Sequence, residues 1–470
     1  MALWKDTLTD NDKKLIFSLF SRHISKGQTK TMRAAHLDFI ETRRKGIGFT
    51  DGLFGRKIID CFTSAGCFNV GRGNPEIIKA LREALQIYDI GTNLLPSNVK
   101  KEFIKKLASI APGDCNQVIF ASGGGDAIDC AIKLARGATG RKKIIAMKKA
   151  YHGHTGYSLS ANGKDYYRHL FEPLEPNFVF VQFGDLEQVK QVAGIDTAAI
   201  ILEPVQGEGG IFVGDDYYLK GLRTICNHFG IMLIFDEIQT GFGRTGRMFA
   251  SQHSGVVPDI MTLAKSISGG LFPNAVVMYR NIPLLTQYVK SNPEFHQSIT
   301  GGSDIGCAVG IAVIDYVVKN RLWENAASMG KIIMEGLLSI QHENPDIIKE
   351  IRGRGLMIGV EYTHEYMGAL MADSLARHGI FAVYSGNQPQ VMRFMVPITI
   401  NEEEVKKMLH IIRKAIVTMR MYMPLTKPLS KIPLLKKLLD DIHVQIAVFD
   451  SIRYFEDILG ITKRNYSKEA

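Results

Sequence analysis

The sequence lacks several patterns that mark particular classes of protein. It contains no apolar run of about 18 residues, so no segment is expected to span a membrane. It contains no run of five or six like charges and no basic block interleaved with aromatic residues, so nucleic-acid binding is not expected despite a net charge of +10. An anionic substrate or cofactor is a sufficient reason for that positive balance. The first residues, MALWKDTLTDNDKK, are too polar for a signal peptide.

Cysteine is scarce and scattered. The six cysteines form no CxxC pair, and no histidine cluster has the spacing of a zinc site, so no metal centre is expected. Their scatter predicts buried free thiols in a reducing compartment, which indicates a cytoplasmic protein. The cysteines are Cys61, Cys67, Cys115, Cys130, Cys226 and Cys307.

The middle of the chain alternates short apolar runs with amphipathic stretches. Of the 470 residues, 46% are apolar and 22% are charged, which is typical of a folded protein with about two or three domains. Amphipathic stretches such as Asp126–Gly137 and Asp216–Phe229 separate several of the runs. The alternation predicts an α/β fold in which a mostly parallel, seven-stranded sheet lies between helices. The runs are Gln117–Phe120, Lys143–Met147, Phe178–Phe183, Ala198–Val205, Ile231–Glu237, Ile260–Ala264 and Ala275–Tyr279.

The flanks differ from the middle and predict a smaller α+β domain made from both chain ends. Residues 10–45 have a mainly helical, charged pattern, and a hairpin-like pattern follows at residues 47–52. Asn401 and Glu404 form a capping-box pattern at the start of a helix. Beyond Pro424, apolar residues at helical spacing predict an extension that packs on the body of the protein or on a partner chain. The expected divisions are an N-terminal segment of the small domain (1–69), a large domain (70–325), the C-terminal part of the small domain (326–423) and a helical extension (424–470).

An acid and a lysine each follow an apolar run of the predicted sheet. Asp236 stands at the carboxyl end of Ile231–Glu237, where open α/β sheets bind their ligands. Lys265 ends the run that starts at Pro258, and burial there would favour the neutral amine that imine formation requires. Taken alone, Asp236 could cap a helix and Lys265 could extend to the surface. Together they indicate a pyridoxal phosphate site, in which a lysine forms a Schiff base and an acid pairs with the pyridinium nitrogen.

Two further motifs could hold such a cofactor. Gly123–Gly125 lies between an apolar run and a predicted helix, where glycine permits close backbone approach and the helix N-terminus attracts a phosphate. The alternative, a dinucleotide-binding turn, lacks the GxGxxG spacing. Tyr151 offers an aromatic face to a cofactor ring. The alternative of a metal pair at His152 and His154 lacks an acid or third histidine nearby in the sequence.

The motifs as a set resemble those of the class III pyridoxal-phosphate aminotransferases, the ω-aminotransferase group of fold type I. The matching stretches extend over about residues 45–420, and their order and spacing agree as a set. They are SGGGDAIDCAIKLAR, YHGHT, ILEPVQGEGG, IFDEIQTGFGRTG, LAKSISGG, IRGRGLMIGVE and MRFMVPITI. The resemblance implies a fold type I enzyme with pyridoxal 5'-phosphate as cofactor.

The resemblance also implies roles for individual residues. Lys265 would form the Schiff base and move the proton, and Asp236 would keep the pyridinium nitrogen protonated. Gln239 would contact the ring hydroxyl, and Tyr151 would stack on the ring. The phosphate would be held by backbone N–H groups of Gly124 and Gly125. The family commonly has Ser-Gly-Thr/Ala-Glu-Ala at this turn, so a side-chain hydroxyl is replaced here by backbone donors.

The family resemblance further implies a homodimer with shared active sites. In the family, a loop of the partner subunit reaches the phosphate, and the corresponding segment here is Ser298–Gly302. The expected threonine position is occupied by Ile299, so Thr300, or else the serine that begins the segment, would supply the hydroxyl.

The expected activity is transfer of an amino group from an amine or an ω-amino acid to a 2-oxo acid by a ping-pong mechanism. Arg393 resembles the family's carboxylate-binding arginine, and Glu208 resembles the acid that pairs with it while the amine donor is bound. Alternatives for this pair are a permanent ion pair and two groups that never meet. Alternatives for the activity are an aminomutase or amino-acid racemase on the same scaffold, and a catalytically silent binding subunit.

Overall fold

The structure is a computed structural model that describes residues 7–34 and 36–426. The helices are α1 (Asp10–His23), α2 (Lys26–Ala34), α3 (Thr63–Gly66), α4 (Pro75–Ala84), α5 (Asn98–Ile110), α6 (Gly124–Thr139), α7 (Gly156–Ser160), α8 (Leu186–Val192), α9 (Asp216–Phe229), α10 (Ser251–Ser254), α11 (Pro283–Ser291), α12 (Asp304–Lys319), α13 (Leu322–Glu343), α14 (Met367–Arg377) and α15 (Glu402–Thr426). The helical extension predicted for residues 424–470 lies outside the described residues beyond residue 426.

The strands of the described residues form one seven-stranded sheet, two four-stranded sheets and one two-stranded pair. They are β1 (Glu41–Lys45), β2 (Gly48–Asp51), β3 (Lys57–Asp60), β4 (Gln117–Ala121), β5 (Lys143–Met147), β6 (Phe178–Val181), β7 (Thr197–Leu202), β8 (Val205–Gln206), β9 (Phe212–Val213), β10 (Met232–Asp236), β11 (Ile260–Leu263), β12 (Ala275–Tyr279), β13 (Ile348–Arg354), β14 (Met357–Tyr362), β15 (Ile380–Phe381), β16 (Val383–Ser385) and β17 (Gln388–Phe394).

The central sheet has seven strands in the order β4-β12-β11-β10-β7-β5-β6. β12 runs antiparallel to both of its neighbours, whereas β11, β10, β7, β5 and β6 are mutually parallel. Every apolar run that was predicted to be a strand is one of these seven. The prediction of a mostly parallel sheet is therefore confirmed, and strands such as β7 and β10 are buried along their whole length.

Helices cover both faces of the sheet because successive side chains of a strand point to opposite sides. Ile144 of β5 belongs to an apolar cluster that includes Ile128 of α6. Its neighbour Ile145 belongs to a second cluster that includes Leu222 of α9. Each such side chain contributes about 1.5–3 kcal/mol on burial. The buried faces thus hold the sheet rigid and fix the positions of its strand ends.

The small domain takes strands from both ends of the chain, as predicted. β15 pairs in parallel with β3, with Ile380 opposite Ile59, in the sheet β1-β2-β3-β15. A second sheet has the order β13-β14-β17-β16. Asn401 and Glu404 form the predicted capping box, with bonds of 3.0 and 2.9 Å between side chains and backbone N–H groups. One apolar cluster includes Ile59, Met261 and Phe394, so the core is continuous across the predicted domain limits, which stay a prediction.

The N-terminal region departs from its sequence pattern. The segment predicted to be mainly helical ends at Ala34, and the charged stretch Glu41–Lys45 is the edge strand β1, paired with β2. The charged residues of this edge strand are partly or fully exposed to solvent. Backbone hydrogen bonds to β2, and not the burial of an apolar face, stabilise the strand. In residues 7–34 and 36–426 no helix is long and apolar enough to cross a membrane, and no group of histidine, cysteine and acidic side chains could hold a metal ion.

Candidate active site

Lys265 lies at the carboxyl end of β11, where the chain changes direction. Its φ of 45° is left-handed, a conformation that costs an ordinary residue about 1–3 kcal/mol. The 3₁₀ turn Lys265–Ser268 begins here, and the hydroxyl of Ser268 donates to the carbonyl of Lys265 at 2.9 Å. The surrounding turn is buried, whereas Lys265 itself is partly exposed. The fold therefore maintains a strained turn that presents one amine at the sheet edge.

Asp236 ends the adjacent strand, β10, and is only 4% exposed. One carboxylate oxygen accepts the backbone N–H of Ile238 at 3.0 Å and the hydroxyl of Thr262 at 3.4 Å. The other lies 2.7 Å from Nδ1 of His152. Because Asp236 is level with Thr262 in the ladder, it stands beside the end of the strand that leads to Lys265. The structure thus brings the predicted acid and lysine to one edge of the sheet.

The glycine-rich turn precedes α6 at the same edge. Gly123 is the N-cap residue and no side chain caps the helix, so its first backbone N–H groups remain available to an anion. A Cβ on Gly125 would lie 2.9 Å from Oγ1 of Thr155, and one on Gly124 would lie 3.2 Å from Cδ1 of Ile238. A side chain at either glycine would require its neighbour to shift, so the bare backbone of this turn fits a phosphate held by backbone donors.

The loop that carries Thr300 lies against this turn within the chain itself. The hydroxyl of Thr300 donates to that of Ser122 at 3.0 Å, and Ser122 also contacts Ser298. Ile299, at the position of the family's threonine, is 75% exposed. The structure therefore places the Thr300 hydroxyl beside the glycine turn of its own chain. A contribution of this loop to a partner subunit stays a prediction.

Tyr151 and Gln239 lie close to Asp236 along the chain or through a neighbour, since Tyr151 precedes His152 and Gln239 follows Asp236 by three residues. The ring of Tyr151 makes edge contacts with His154 at 5.4 Å and with Tyr167 at 5.7 Å. Burial is the main cause of the raised pKa of Tyr151, and the negative charges of Glu208 and Glu203 raise it further. Gln239 donates from Nε2 to the carbonyl of Ala65 at 3.1 Å, while its buried Oε1 has no hydrogen-bond partner in the described chain. An unpaired buried acceptor is costly, so this atom fits a ligand that brings a donor.

Glu208 and Arg393 meet, which excludes the alternative that they are far apart. The guanidinium of Arg393 donates to Oε1 of Glu208, and the arginine side chain is 3% exposed. Oε2 of the same carboxylate accepts the backbone N–H of Gly386 at 2.9 Å. A second guanidinium nitrogen lies 3.4 Å from the carbonyl of Tyr384. The arginine therefore has an acid partner that a substrate carboxylate would have to replace.

Sequence reasoning missed two buried residues of this site. His152, considered only as half of a metal pair, instead has its fully buried ring against Asp236, and its Nε2 has no hydrogen-bond partner in the described chain. Glu203 follows β7 and accepts the backbone N–H groups of Tyr151 and Gly207. Burial raises the pKa of Glu203 to about 7. The rule that selected Asp236, an acid at the end of a buried parallel strand, would also have selected Glu203.

These residues fit pyridoxal phosphate. The buried carboxylate of Asp236 suits a protonated ring nitrogen, the unpartnered oxygen of Gln239 suits a ring hydroxyl, and the side-chain-free cradle before α6 suits a phosphate. Lys265 supplies the amine that this cofactor requires.

Comparison with known proteins agrees with that chemistry. The family described as aminotransferase class-III matches residues 31–416, and the chain belongs to this family. An uncharacterized aminotransferase of Archaeoglobus fulgidus is 41% identical over 393 residues, which are 84% of this chain and 92% of that protein. The chain is therefore a class III aminotransferase, an enzyme class whose cofactor is pyridoxal phosphate.

Solved structures show the same fold. A thermostable (S)-enantioselective omega-transaminase from Thermomicrobium roseum is 28% identical with a TM-score of 0.79, and the match covers 88% of this chain and 99% of that one. The ornithine aminotransferase of Toxoplasma gondii ME49 is 27% identical with a TM-score of 0.79, and the match covers 87% and 96% of the two chains. The fold is that of the fold type I transaminases, as the sequence motifs indicated.

Proposed function

We propose that the enzyme transfers an amino group from an amine or an ω-amino acid to a 2-oxo acid by a ping-pong mechanism. The observation that carries this proposal is the ion pair between Arg393 and Glu208 in the same protein as the Lys265 and Asp236 centre. A ping-pong transaminase must accept two different substrates in one pocket. An arginine that an acid can cover or release suits a pocket that accepts substrates with and without a carboxylate near the reacting carbon.

The chemistry that pyridoxal phosphate supplies when bound is an aldehyde for the amino group and an electron-withdrawing ring. Lys265 would hold the cofactor through its amine and, once that amine is free, Nζ would carry the proton between the donor carbon and the aldehyde carbon of the cofactor. Asp236 holds a proton on the ring nitrogen, and the imidazole of His152 at 2.7 Å keeps that carboxylate oriented. Gln239 binds the ring hydroxyl through its unpartnered Oε1, and Tyr151 covers one face of the ring.

The phosphate is bound by the backbone N–H groups of Gly124 and Gly125 and by the hydroxyl of Thr300. We infer a homodimer in which the Ser298–Gly302 loop contributes to the site of the partner. The hydroxyl of Thr300 lies 3.0 Å from that of Ser122 in its own chain, which supports a role of this loop at the phosphate, whereas the homodimer rests on the family resemblance. An obligate interface of more than about 2,000 Å² is expected. Full activity of a monomer at low protein concentration would contradict the shared site.

In the amine half-reaction, Glu208 neutralises Arg393 and the pocket admits a donor without a nearby carboxylate. In the 2-oxo acid half-reaction, the guanidinium is released and binds the substrate carboxylate through two parallel hydrogen bonds. The alternative is a permanent ion pair with a structural role. Half-reactions measured separately distinguish the two, since a permanent pair predicts equal effects in both.

The proposed function is tested with single half-reactions of the purified holoenzyme. Each amine or amino acid of a donor panel is added without a 2-oxo acid, and the cofactor absorbance is recorded. A lasting spectral change with release of the deaminated product supports transamination. Conversion of an amino acid into its isomer or enantiomer without such a change indicates an aminomutase or racemase. Absence of any lysine-linked cofactor absorbance indicates a silent binding subunit.

Two broader predictions remain proposals. The division into domains at residues 69, 325 and 423 is to be tested by limited proteolysis. Cytoplasmic location is supported by the six cysteines, all of which are free and five of which are buried.

A further inference from the structure

Glu203 is a buried acid at the carboxyl edge of the sheet. It is 5% exposed and follows the last residue of β7. One carboxylate oxygen accepts the backbone N–H of Tyr151 at 3.1 Å, and the other accepts the backbone N–H of Gly207 at 2.8 Å. One side chain therefore joins two segments of the site that are far apart in sequence.

The two backbone groups belong to functionally different segments. Tyr151 precedes His152, whose ring holds Asp236. Gly207 precedes Glu208, the partner of Arg393. A shift of either N–H would thus move a side chain that faces cofactor or substrate.

We propose that Glu203 is a positioning residue of the transamination site, which fixes Tyr151 and the loop of Glu208 relative to each other through their backbone N–H groups. This inference rests on the proposed function, because it assigns Tyr151 to the cofactor and Glu208 to the amine half-reaction. Glu203 itself contacts neither substrate nor cofactor in this account.

We call the two hydrogen bonds from the backbone N–H groups of Tyr151 and Gly207 to Glu203 the clamp. It depends on the charge of the carboxylate. Burial is the main cause of the raised pKa of Glu203, about 7; the charge of Asp236 raises it and the imidazole of His152 lowers it. Tyr151 and Glu208 are the other titratable groups of the joined segments. A carboxylate can accept both N–H groups, whereas a protonated carboxyl directs a hydroxyl toward one of them. The clamp is therefore complete above about pH 7 and loses one bond as the pH falls below it.

Glu237 provides a matched control on a neighbouring strand end. It is 1% exposed, burial raises its pKa, and it also accepts two backbone N–H groups, those of Ala250 at 3.0 Å and Ser251 at 2.8 Å. Ala250 is the N-cap residue and Ser251 the first residue of the short helix α10, which contains no residue assigned to the cofactor or the substrate. Glu237 also accepts the hydroxyl of Thr240, but both of its backbone partners lie in a segment outside the site.

The first experiment compares Glu203→Gln with Glu237→Gln by hydrogen exchange and mass spectrometry, in the apoprotein and in the holoenzyme. Glutamine keeps the shape but offers one acceptor oxygen, so one N–H loses its partner. We expect Glu203→Gln to raise exchange by roughly tenfold or more in at least one of the two peptides that contain Tyr151 and Gly207. Glu237→Gln should raise exchange only around Ala250 and Ser251. Unchanged exchange at both Tyr151 and Gly207 overturns the inference.

The second experiment measures the holoenzyme from pH 5.5 to 8.5. In the wild type, KM for the amine donor should rise several-fold below about pH 7, whereas in Glu203→Gln it should be raised throughout and lack that step. The cofactor dissociation constant should rise roughly tenfold in Glu203→Gln. A retained step in Glu203→Gln, or its loss in Glu237→Gln, overturns the inference.

The outcomes separate this inference from the proposed function. If no donor is deaminated but exchange at Tyr151 and Gly207 rises in Glu203→Gln, the clamp stands and the proposed function fails. If transamination is confirmed and exchange is unchanged, the clamp alone fails. Should Glu203→Gln not fold, the wild-type apoprotein still decides the question, because exchange at the Tyr151 and Gly207 segments, corrected for its intrinsic pH dependence, should increase below about pH 7. Unchanged exchange at both segments across this range overturns the inference.

Discussion

Buried carboxylates have different partners at the two edges of the central sheet. At the amino edge, Asp259 precedes β11 and is 2% exposed. It binds the guanidinium groups of Arg223 at 2.7 Å and Arg280 at 3.4 Å, and it accepts the backbone N–H of Leu233 at 2.8 Å. Asp259 thus has two cationic partners, one of which, Arg280, also pairs with Asp114 at 2.7 Å.

At the carboxyl edge, the buried acids have weaker partners. Asp236 is bound by an imidazole and a hydroxyl, and Glu203 by two backbone N–H groups. Nearby, Oε1 of Gln239 and Nε2 of His152 have no hydrogen-bond partner in the described chain. Ion pairing of Asp259 with two arginines at the amino edge stabilises the fold, whereas the unpartnered atoms of Gln239 and His152 beside the carboxyl-edge acids can bind a ligand. The predictions below test this contrast by changing matched residues at the two edges.

The largest effect is expected for Lys265→Ala. Removing the amine abolishes both the covalent link to the cofactor and the proton transfer, so transamination should fall by more than the roughly 10²–10⁴ of a single acid–base group. The control is Lys143→Ala at the amino edge, where the amine donates to the carbonyl of Val192 at 2.8 Å and pairs with Asp196. The measurements are the steady-state rate and the cofactor content of both variants. Near-normal turnover of Lys265→Ala would refute both the covalent link to the cofactor and the proton transfer.

The next effect is expected for Asp236→Asn. A neutral amide cannot hold a proton on the ring nitrogen, so the transamination rate should fall by about 10²–10³. We expect a changed cofactor absorbance and little change in the thermal midpoint of the apoprotein. A transamination rate within a factor of about two of the wild type would show that this carboxyl-edge acid, like Asp259 at the amino edge, does not act on the cofactor.

A smaller effect, confined to one half-reaction, is expected at the ion pair. Arg393→Ala should slow the 2-oxo acid half-reaction by about tenfold or more and the amine half-reaction much less, because the carboxylate loses a paired donor. Glu208→Ala should instead weaken the amine half-reaction, because an unpaired guanidinium then faces the donor. Single-turnover absorbance measurements separate the halves. Equal losses in both for Arg393→Ala would leave the pair a structural role.

The smallest effect on catalysis is expected for Asp259→Asn, which should act on stability. Both arginines would lose a charged partner, and the free energy of unfolding of the apoprotein should fall by about 1.5–3 kcal/mol. The transamination rate of the folded holoenzyme should stay near that of the wild type. Urea titration and steady-state kinetics are the measurements, and a large rate loss with unchanged stability would reverse the contrast between the edges.

Much of the fold was accessible from sequence because its signals are local. Seven apolar runs predicted seven strands, and the ends of two of them identified Asp236 and Lys265. Other features needed contacts between distant segments. The strand Glu41–Lys45 has no apolar face and exists through its pairing with β2. No periodicity could show that β15 would join β3, which lies more than three hundred residues earlier in the chain.

The sequence by itself determined the order of the seven strands of the central sheet along the chain, the family and the residue types of the site, because burial and glycine preferences act over short stretches. Only the tertiary structure decided which polar groups meet. His152 contacts Asp236 across 84 positions and Arg393 contacts Glu208 across 185. Glu203 joins the Tyr151 segment to the Glu208 loop. Such contacts depend on how the packed sheet aligns its strand ends, and that alignment is a property of the whole core.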